Sequence, residues 1–478
     1  MLFNSYLFIF AFLPFTFFTY FYLNKKGLVE ASKGFLVFAS LFFYSWWNIT
    51  YLPLILVSML FNYSMGRELS KRKSKSLLTI GIVANLSLLG YFKYSDFFIS
   101  NFNGVFGSDV PLLHLLLPLA ISFYTFQQIA YLVDSYRAET QEYNFLNYAV
   151  FVTFFPQLIA GPIVHHSEMM PQFAKTDNKS INYHNVALGL FIFSIGLFKK
   201  VAIADSFAIW ATQGFDVAQN LNLIEAWITS LSYTFQLYFD FSGYTDMAIG
   251  IALLFNIKLP INFNSPYKAT SIQDFWRRWH MTLSRFLKDY IYIPLGGNRK
   301  GETRTCTNLF ITFLLGGIWH GAGWTFVVWG ASHGLALMVH RFWQKFNIKL
   351  NTILAWFITF NFLNITWVFF RAKDFDDALK VLDGMFFGTL VLPGGLESKL
   401  AFLKTAGIDF GRWITIYQDG PLAIASLIAA FIVILFFKNS MQLREQFKLN
   451  YYYLFSTFLL LLTIFILGRK SEFIYFNF

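Results

Sequence analysis

Two histidines, His280 and His320, are the side chains of this sequence best suited to acid–base chemistry. His320 lies in the middle of an apolar stretch long enough to span a bilayer, next to Trp319. An ionisable group at membrane depth is costly, and it is by default a functional-site hypothesis. An imidazole that desolvation keeps neutral is a suitable general base toward a hydroxyl group. We therefore predict that His320 is a general base, with a purely structural histidine as the alternative.

A basic and aromatic segment precedes this histidine. Its candidate donor-binding residues are Trp276, Arg277, Arg278, Arg285 and Lys288. Trp276 and His280 are four residues apart, which on a helix places them on one face. Guanidinium and ammonium groups suit a phosphate-bearing donor such as a coenzyme or a carrier. The alternative is an anchoring helix, because tryptophan beside arginine is also common at membrane interfaces.

The composition places the chain among integral membrane proteins. Hydrophobic residues make up 56% of it, charged residues 13%, and the mean hydropathy is +0.50. The net charge of +11 lies in short loops between apolar segments, so it reports membrane topology and not nucleic-acid binding. The single cysteine, Cys306, excludes a disulfide framework and a multi-cysteine zinc site. His165 and His166 have only Glu168 near them at ligand spacing, so we expect loop histidines and no metal.

The apolar segments predict an all-α integral membrane protein with about twelve crossings and both termini outside. The predicted spans are residues 3–23, 35–47, 52–65, 77–92, 112–133, 186–198, 223–257, 309–327, 328–340, 353–370, 421–437 and 451–467. Residues 145–173 are broken by prolines and glycine and predict a re-entrant hairpin. Residues 258–307 are predicted in the cytoplasm, and 374–420 as the largest external loop. We treat residues 1–478 as a single polytopic membrane domain.

Several polar positions do not fit this scheme easily. Lys199 and Lys200 fall outside in the predicted topology, in conflict with the positive-inside rule. Asp240 and Asp246 lie within an apolar run, where they either line a cavity or join helices through hydrogen bonds. We favour the second interpretation. Residues 330–334 match the nucleophile-elbow pattern G-x-S-x-G, which requires a strand-to-helix turn, so we interpret them as packing residues of a span.

Six blocks of sequence, in chain order, carry a resemblance to a known family. They are L-P-L-A-I-S-F-Y-T-F-Q from Leu117, F-P-Q-L-I-A-G-P-I from Phe155, Y-F-D-F-S-G-Y-T-D-M-A from Tyr238, N-F-N-S-P-Y from Asn262, W-R-R-W-H from Trp276 and G-G-I-W-H-G from Gly316. Through them the chain resembles the membrane-bound O-acyltransferase family, in particular its bacterial branch of alginate O-acetylation proteins. The blocks cover nearly the whole chain. One departure is I-V-H-H-S-E after Pro162, where that branch often carries arginine.

The resemblance implies a multi-helix fold with re-entrant segments around a central tunnel or funnel. His320 matches the buried catalytic histidine of the family, and His280 the second histidine of the pair. The implied reaction moves an acetyl group from cytoplasmic acetyl-CoA across the bacterial inner membrane to an extracytoplasmic polysaccharide, alginate or another envelope glycan. The implied partner is a periplasmic or membrane-anchored acetyltransferase. Two alternatives stay open: transfer of D-alanine from a carrier protein, and a non-enzymatic channel or secondary transporter.

The C-terminal tail, residues 468–478, resembles the F-I-Y-F ending of the same bacterial branch. Its composition alone favours an aromatic anchor at the membrane interface. A phenol on a short tether has a second use, since Tyr475 could accept the acetyl group and pass it to an external partner. We therefore include Tyr475 with His280 and His320 among the candidate catalytic residues.

Overall fold

The structure, a computed structural model, describes residues 1–140 and 144–467 and is mostly helical. Tyr475 lies outside the described residues. In chain order the helices are α1 (Leu13–Lys25), α2 (Val29–Ser45), α3 (Leu52–Arg72), α4 (Lys75–Phe106), α5 (Ile121–Tyr136), α6 (Phe145–Thr153), α7 (Phe155–Leu158), α8 (His166–Ala174), α9 (Tyr183–Phe198), α10 (Asp205–Thr212), α11 (Leu223–Leu254), α12 (Ile272–Trp276), α13 (Met281–Leu287), α14 (Glu302–His320), α15 (Trp324–Gln344), α16 (Thr352–Arg371), α17 (Phe375–Phe387), α18 (Glu397–Leu400), α19 (Gly420–Phe436), α20 (Ser440–Glu445) and α21 (Tyr451–Leu461).

Four helical stretches are long and apolar enough to cross a membrane among the described residues. They are Ile49–Arg72, Lys75–Phe106, Tyr183–Val217 and Thr352–Arg371, and the shorter apolar helices are Gly420–Phe436 and Tyr451–Ile466. The helical membrane class is therefore confirmed, whereas the count of about twelve crossings and the central tunnel stay predictions. On α4 only Gly81, Asn85 and Leu89 are buried, so most of its apolar surface is available to lipid.

The chain forms two compact units. The first comprises Met1–Val201, Phe241–Asn262 and Ser440–Phe478. Within it α3 and α4 are joined by a reciprocal amide pair, in which Asn62 and Asn85 each donate to the other side-chain oxygen, at 3.0 and 2.7 Å. Such paired amides satisfy each other where lipid offers no partner.

The segment predicted as a re-entrant hairpin is broken into α6, α7 and α8, and α6 and α7 are buried over most of their length. The helix break leaves the carbonyl of Phe151 without a helical partner. Two amides replace that partner, since Gln127 Nε2 donates to Phe151 O at 2.8 Å and Gln157 Nε2 at 2.7 Å. Irregular backbone at this depth is tolerated because protein surrounds it and satisfies its polar groups.

Two polar positions of the first unit have structural explanations. Lys199 Nζ donates to Asp246 Oδ2 at 2.7 Å, and Ser440 Oγ donates to Asp246 Oδ1 at 2.9 Å. Asp246 of α11 is thus hydrogen-bonded to the end of α9 and to α20, which agrees with the helix-joining role favoured from the sequence, and the side of the membrane on which Lys199 lies stays a prediction. His165 Nδ1 lies 3.0 Å from Asp134 Oδ2 at the start of α8. Among the described residues no group of three His, Cys, Asp or Glu side chains is arranged to hold a metal ion.

The second unit comprises Ala202–Asp240 and Phe263–Asn439 and contains all the described candidate site residues. Asn364 of α16 is held against α11, because Thr234 Oγ1 donates to its Oδ1 at 2.7 Å and its Nδ2 donates to Ser230 Oγ at 3.2 Å. Residues 374–420, predicted as the largest external loop, contain regular secondary structure, and their side of the membrane stays a prediction. Asp374 caps α17 by accepting from Asp377 N at 2.9 Å, and β1 (Val391–Pro393) pairs in parallel with β2 (Asp409–Gly411).

Candidate active site

Close packing of α14 against α15 positions His320. A Cβ added at Gly330 would lie 2.6 Å from Phe313 O and 2.9 Å from Gly317 Cα. One added at Gly334 would lie 3.0 Å from Phe310 Cα. The glycines of the G-x-S-x-G match therefore bring two helix backbones together, which agrees with their interpretation as packing residues.

His320 is the last residue of α14 and is 3% exposed. Its ring is enclosed by aromatic rings on three sides. The ring centroids lie 4.9 Å from Trp319, 5.1 Å from Trp329 and 5.0 Å from Phe370. Trp329 meets the imidazole nearly perpendicularly, at 87°. These contacts hold the imidazole in one orientation and exclude bulk water from it.

His333 on α15 is a fully buried histidine that is not among the site residues predicted from the sequence. Trp276 Nε1 donates to its Nδ1 at 3.2 Å, and its Nε2 lies 3.2 Å from Thr366 Oγ1. Its ring is 4.7 Å from that of Trp329, which itself contacts His320. His333 therefore joins α12, α15 and α16 beside the candidate base.

A sequence signal for His333 exists, because Trp329 and His333 are four residues apart on an uninterrupted helix. The same four-residue spacing predicts one shared helix face for Trp276 and His280, and that prediction is wrong. α12 ends at Trp276, and His280 precedes α13 with a left-handed backbone at φ 42°. A non-glycine residue in this conformation is uncommon and is held there by its surroundings.

His280 is completely buried, and burial lowers its pKa to about 3. The neighbouring Trp279 connects this turn to the rest of the site. Its ring lies 5.1 Å from Trp367, whose ring is 5.7 Å from Trp329 and 5.2 Å from Phe370. Trp279, the residue before His280, is thus joined to His320 through one packed aromatic cluster.

The structure separates the candidate donor-binding residues by exposure. Arg277 and Lys288 are exposed, Arg278 and Arg285 are half-buried, and Trp276 is buried against His333. Arg278 Nε donates to Asp274 Oδ1 at 2.8 Å, so part of its charge is neutralised by a carboxylate of α12. Arg277 and Lys288 therefore have the freest access to a dissolved anion.

A mostly apolar cavity of about 940 Å³ is lined by residues of α15 and α16 in the same unit. Ser332 and Leu335 line it from α15, and Phe362 lines it from α16. Phe362 also contacts the ring of His333 at 5.3 Å. His340 and Lys349 are the titratable residues of its lining. The cavity therefore lies beside the His333 network, and Lys349 is the one cation among its lining residues.

Comparison with known proteins gives three informative relatives and one family match. The family model described as MBOAT, membrane-bound O-acyltransferase family, matches residues 35–372. A peptidoglycan O-acetyltransferase of Helicobacter pylori is 52% identical over 528 aligned positions, which cover 100% of this chain and 98% of the relative. A probable alginate O-acetylase AlgI of Pseudomonas aeruginosa is 40% identical, covering 92% of this chain and 82% of the relative. A teichoic acid D-alanyltransferase of Bacillus subtilis is 27% identical and covers 55% of this chain and 71% of the relative.

Proposed function

The chain belongs to the membrane-bound O-acyltransferase family, and from that premise we propose that it transfers acetyl groups from cytoplasmic acetyl-CoA across the bacterial inner membrane for O-acetylation of a cell-envelope glycan. The observation that carries the proposal is His320, a buried imidazole enclosed by Trp319, Trp329 and Phe370 within the matched region. Such a site is shielded from water, so an activated acyl group would be protected from hydrolysis there.

The chemistry assigns His320 the role of general base. The acceptor hydroxyl attacks the carbonyl carbon of the acetyl thioester while its proton passes to the imidazole. The tetrahedral intermediate then collapses, the carbon–sulfur bond breaks, and the imidazolium returns the proton to the leaving thiolate of coenzyme A. His320 ends α14, where the partial negative charge of a helix C-terminus favours the positive charge that the ring acquires.

The glycan we propose is peptidoglycan. The supporting comparison is the Helicobacter pylori relative, which is more similar than the alginate O-acetylases and matches this chain over its full length. The D-alanyltransferases match at lower identity over about half of this chain, which favours acetyl over D-alanine as the transferred group. A channel or secondary transporter has no specific observation in its favour, because Asp246 is occupied by Lys199 and Ser440.

The test measures base-labile acetate on peptidoglycan from cells that lack the chromosomal gene and express this chain. The wild type should restore acetylation, and His320→Ala should abolish it at equal membrane abundance. Cys306→Ser is the control, since this half-buried thiol has no assigned role. Restored acetylation of another glycan only would overturn the choice of peptidoglycan, and full activity of His320→Ala would overturn the mechanism.

We propose further that Tyr475 relays the acetyl group to an exported or membrane-anchored acetyltransferase partner. The relay divides the transfer into two steps, formation of a tyrosyl acetate and attack on it by the partner or by the glycan hydroxyl. Tyr475→Phe keeps the aromatic ring and removes only the phenol. Loss of glycan acetylation in this variant supports the relay, and undiminished acetylation leaves the tail as an interfacial anchor.

A further inference from the structure

We propose that His333 is a positioning residue for acyl transfer, held as a single neutral tautomer between Trp276 and Thr366 so that Trp329 stays fixed against the ring of His320. This inference rests on the proposed function, because it assigns His333 a role in the reaction of His320. The two imidazoles are not equivalent. His320 ends a helix inside an aromatic enclosure. Both ring nitrogens of His333 lie at hydrogen-bond distance from other side chains.

The hydrogen bonds fix the tautomer of His333. An indole N–H can only donate, so the bond of 3.2 Å from Trp276 Nε1 requires a lone pair on His333 Nδ1. In a neutral ring the proton is then on Nε2, which donates to Thr366 Oγ1 at 3.2 Å. The Thr366 hydroxyl donates onward to Leu363 O at 2.9 Å. Every donor in the chain has an acceptor, so the network has one consistent direction.

This arrangement excludes His333 as the base in this state, because its only lone pair is already used by Trp276. The role of His333 is to hold neighbouring helices and rings in place. It ties α12 through Trp276 and α16 through Thr366 to α15, and its ring packs at 4.7 Å against Trp329. Trp329 and Phe370 are two of the three rings that enclose His320, and they belong to α15 and α16. A shift of either helix would therefore move the walls around the base.

The expected consequence is a loss of rate and not of substrate affinity. Misplacement of a catalytic group by about 1 Å can lower a rate about 100-fold. We expect His333→Leu to lower kcat about 100-fold while KM for acetyl-CoA changes less than about twofold. Thr366→Val, which is nearly isosteric, should lower kcat about tenfold. His333→Asn should be milder than His333→Leu, since its Oδ1 can still accept from Trp276.

The experiment combines kinetics with nitrogen NMR of the solubilised protein, labelled with ¹⁵N-histidine. Among the eight histidines, the signal that disappears in His333→Asn should be that of a neutral ring protonated at Nε2, and it should shift in Thr366→Val and in Trp276→Phe. Thr359→Val is the matched control, because Thr359 lies on the same helix and its hydroxyl donates to Ala355 O in its own turn. It should leave both kcat and the signal unchanged.

A purely structural role predicts a different pattern. His333→Leu and Thr366→Val would then lower the yield of folded protein, with kcat per folded molecule equal to that of the wild type. That result, or a His333 signal protonated at Nδ1, would overturn the proposal. Failure of the proposed function is seen separately, in the wild type itself. If the wild type transfers a different acyl group, positioning by His333 is still tested by the kcat of the same variants with that donor.

Discussion

His280 illustrates how a single buried side chain can make this protein sensitive to acid. Burial lowers its pKa from the ordinary value of 6.5 to about 3. Between these values the unfolded chain binds a proton that the folded chain does not, so protonation favours unfolding. The stabilisation by neutral His280 is complete above about pH 6.5 and is lost progressively as the pH falls toward about 3.

The corresponding prediction concerns the unfolding midpoint of the solubilised protein, followed by tryptophan fluorescence. Between about pH 7.5 and about pH 5 the midpoint of the wild type should fall, and His280→Asn, which cannot be protonated, should show a smaller fall. His184→Asn is the control, because His184 is exposed on α9. Equal acid sensitivity of the wild type and His280→Asn would contradict the assignment.

At the residue scale the sequence singled out candidate residues but did not predict their geometry. His320 could be singled out because a titratable group within an apolar span is costly wherever it lies. The relation of Trp276 to His280 could not, because the left-handed turn at His280 is set by the packing of Trp279 and its neighbours and not by local propensity. His333 was missed for the same reason, since its partners lie 57 and 33 residues away in the chain.

At the scale of elements, the α14–α15 pair depends on the absence of side chains where the backbones meet. Gly330→Ala would place a Cβ within 2.6 Å of Phe313 O and 2.9 Å of Gly317 Cα, and neither backbone can withdraw as a flexible side chain would. Overpacking of this kind costs about 1–3 kcal/mol. We therefore expect Gly330→Ala to lower the unfolding midpoint and the transfer rate together.

Gly90→Ala on α4 is the matched control for this substitution. A Cβ at Gly90 has no atom within 4 Å, so the change should leave activity unaltered and stabilise the helix slightly. A Gly330→Ala protein as stable and active as the wild type would show that the two helices are not fixed at this contact.

The segment from α12 to α13 is predicted to bind the phosphates of the acetyl-CoA donor. Arg277 and Lys288 are exposed, and contacts with a remote phosphate are alike in the ground state and the transition state. The double variant Arg277→Gln, Lys288→Gln should therefore raise KM for acetyl-CoA about tenfold and lower kcat much less. The measurement is initial rate against acetyl-CoA concentration in inverted membrane vesicles.

Arg304→Gln is the control for charge alone, because Arg304 is an exposed cation of α14 outside this segment. Its KM should equal that of the wild type. An unchanged KM in the double variant would leave these cations with a topological role only, which is the alternative that the composition allows.

The sequence predicted some helices correctly and missed others, and the cause differs from helix to helix. Apolar length identified α3, α4, α9 and α16, because the hydrophobic requirement of a span is local. Lys199 conflicts with the positive-inside rule in the predicted topology, and its ion pair with Asp246, 47 residues away, is a contact that no local pattern indicates. The helix α17 was missed since its polar and apolar residues alternate as on an interfacial helix and not as in a span.

At the scale of the whole molecule, the resemblance to the membrane-bound O-acyltransferase family is confirmed, and the direction of transfer depends on the sidedness of the chain. The topology predicted from basic loops places residues 258–307 in the cytoplasm and 374–420 outside. Asn298 and Ser398 are exposed positions in these two segments. Both positions lie in one compact unit. If Asn298 faces the cytoplasm and Ser398 faces the outside, that unit connects the two compartments.

The prediction is tested with single cysteines in a Cys306→Ser background. In intact spheroplasts a membrane-impermeant maleimide should label Ser398→Cys and leave Asn298→Cys unlabelled, because the bilayer separates the reagent from the cytoplasmic segment. In inverted vesicles the pattern should reverse. Detergent should expose both cysteines equally, which controls for local burial. Labelling of both positions from the same side would contradict the predicted topology, and a cytoplasmic donor with an external acceptor would then require a different path through the protein.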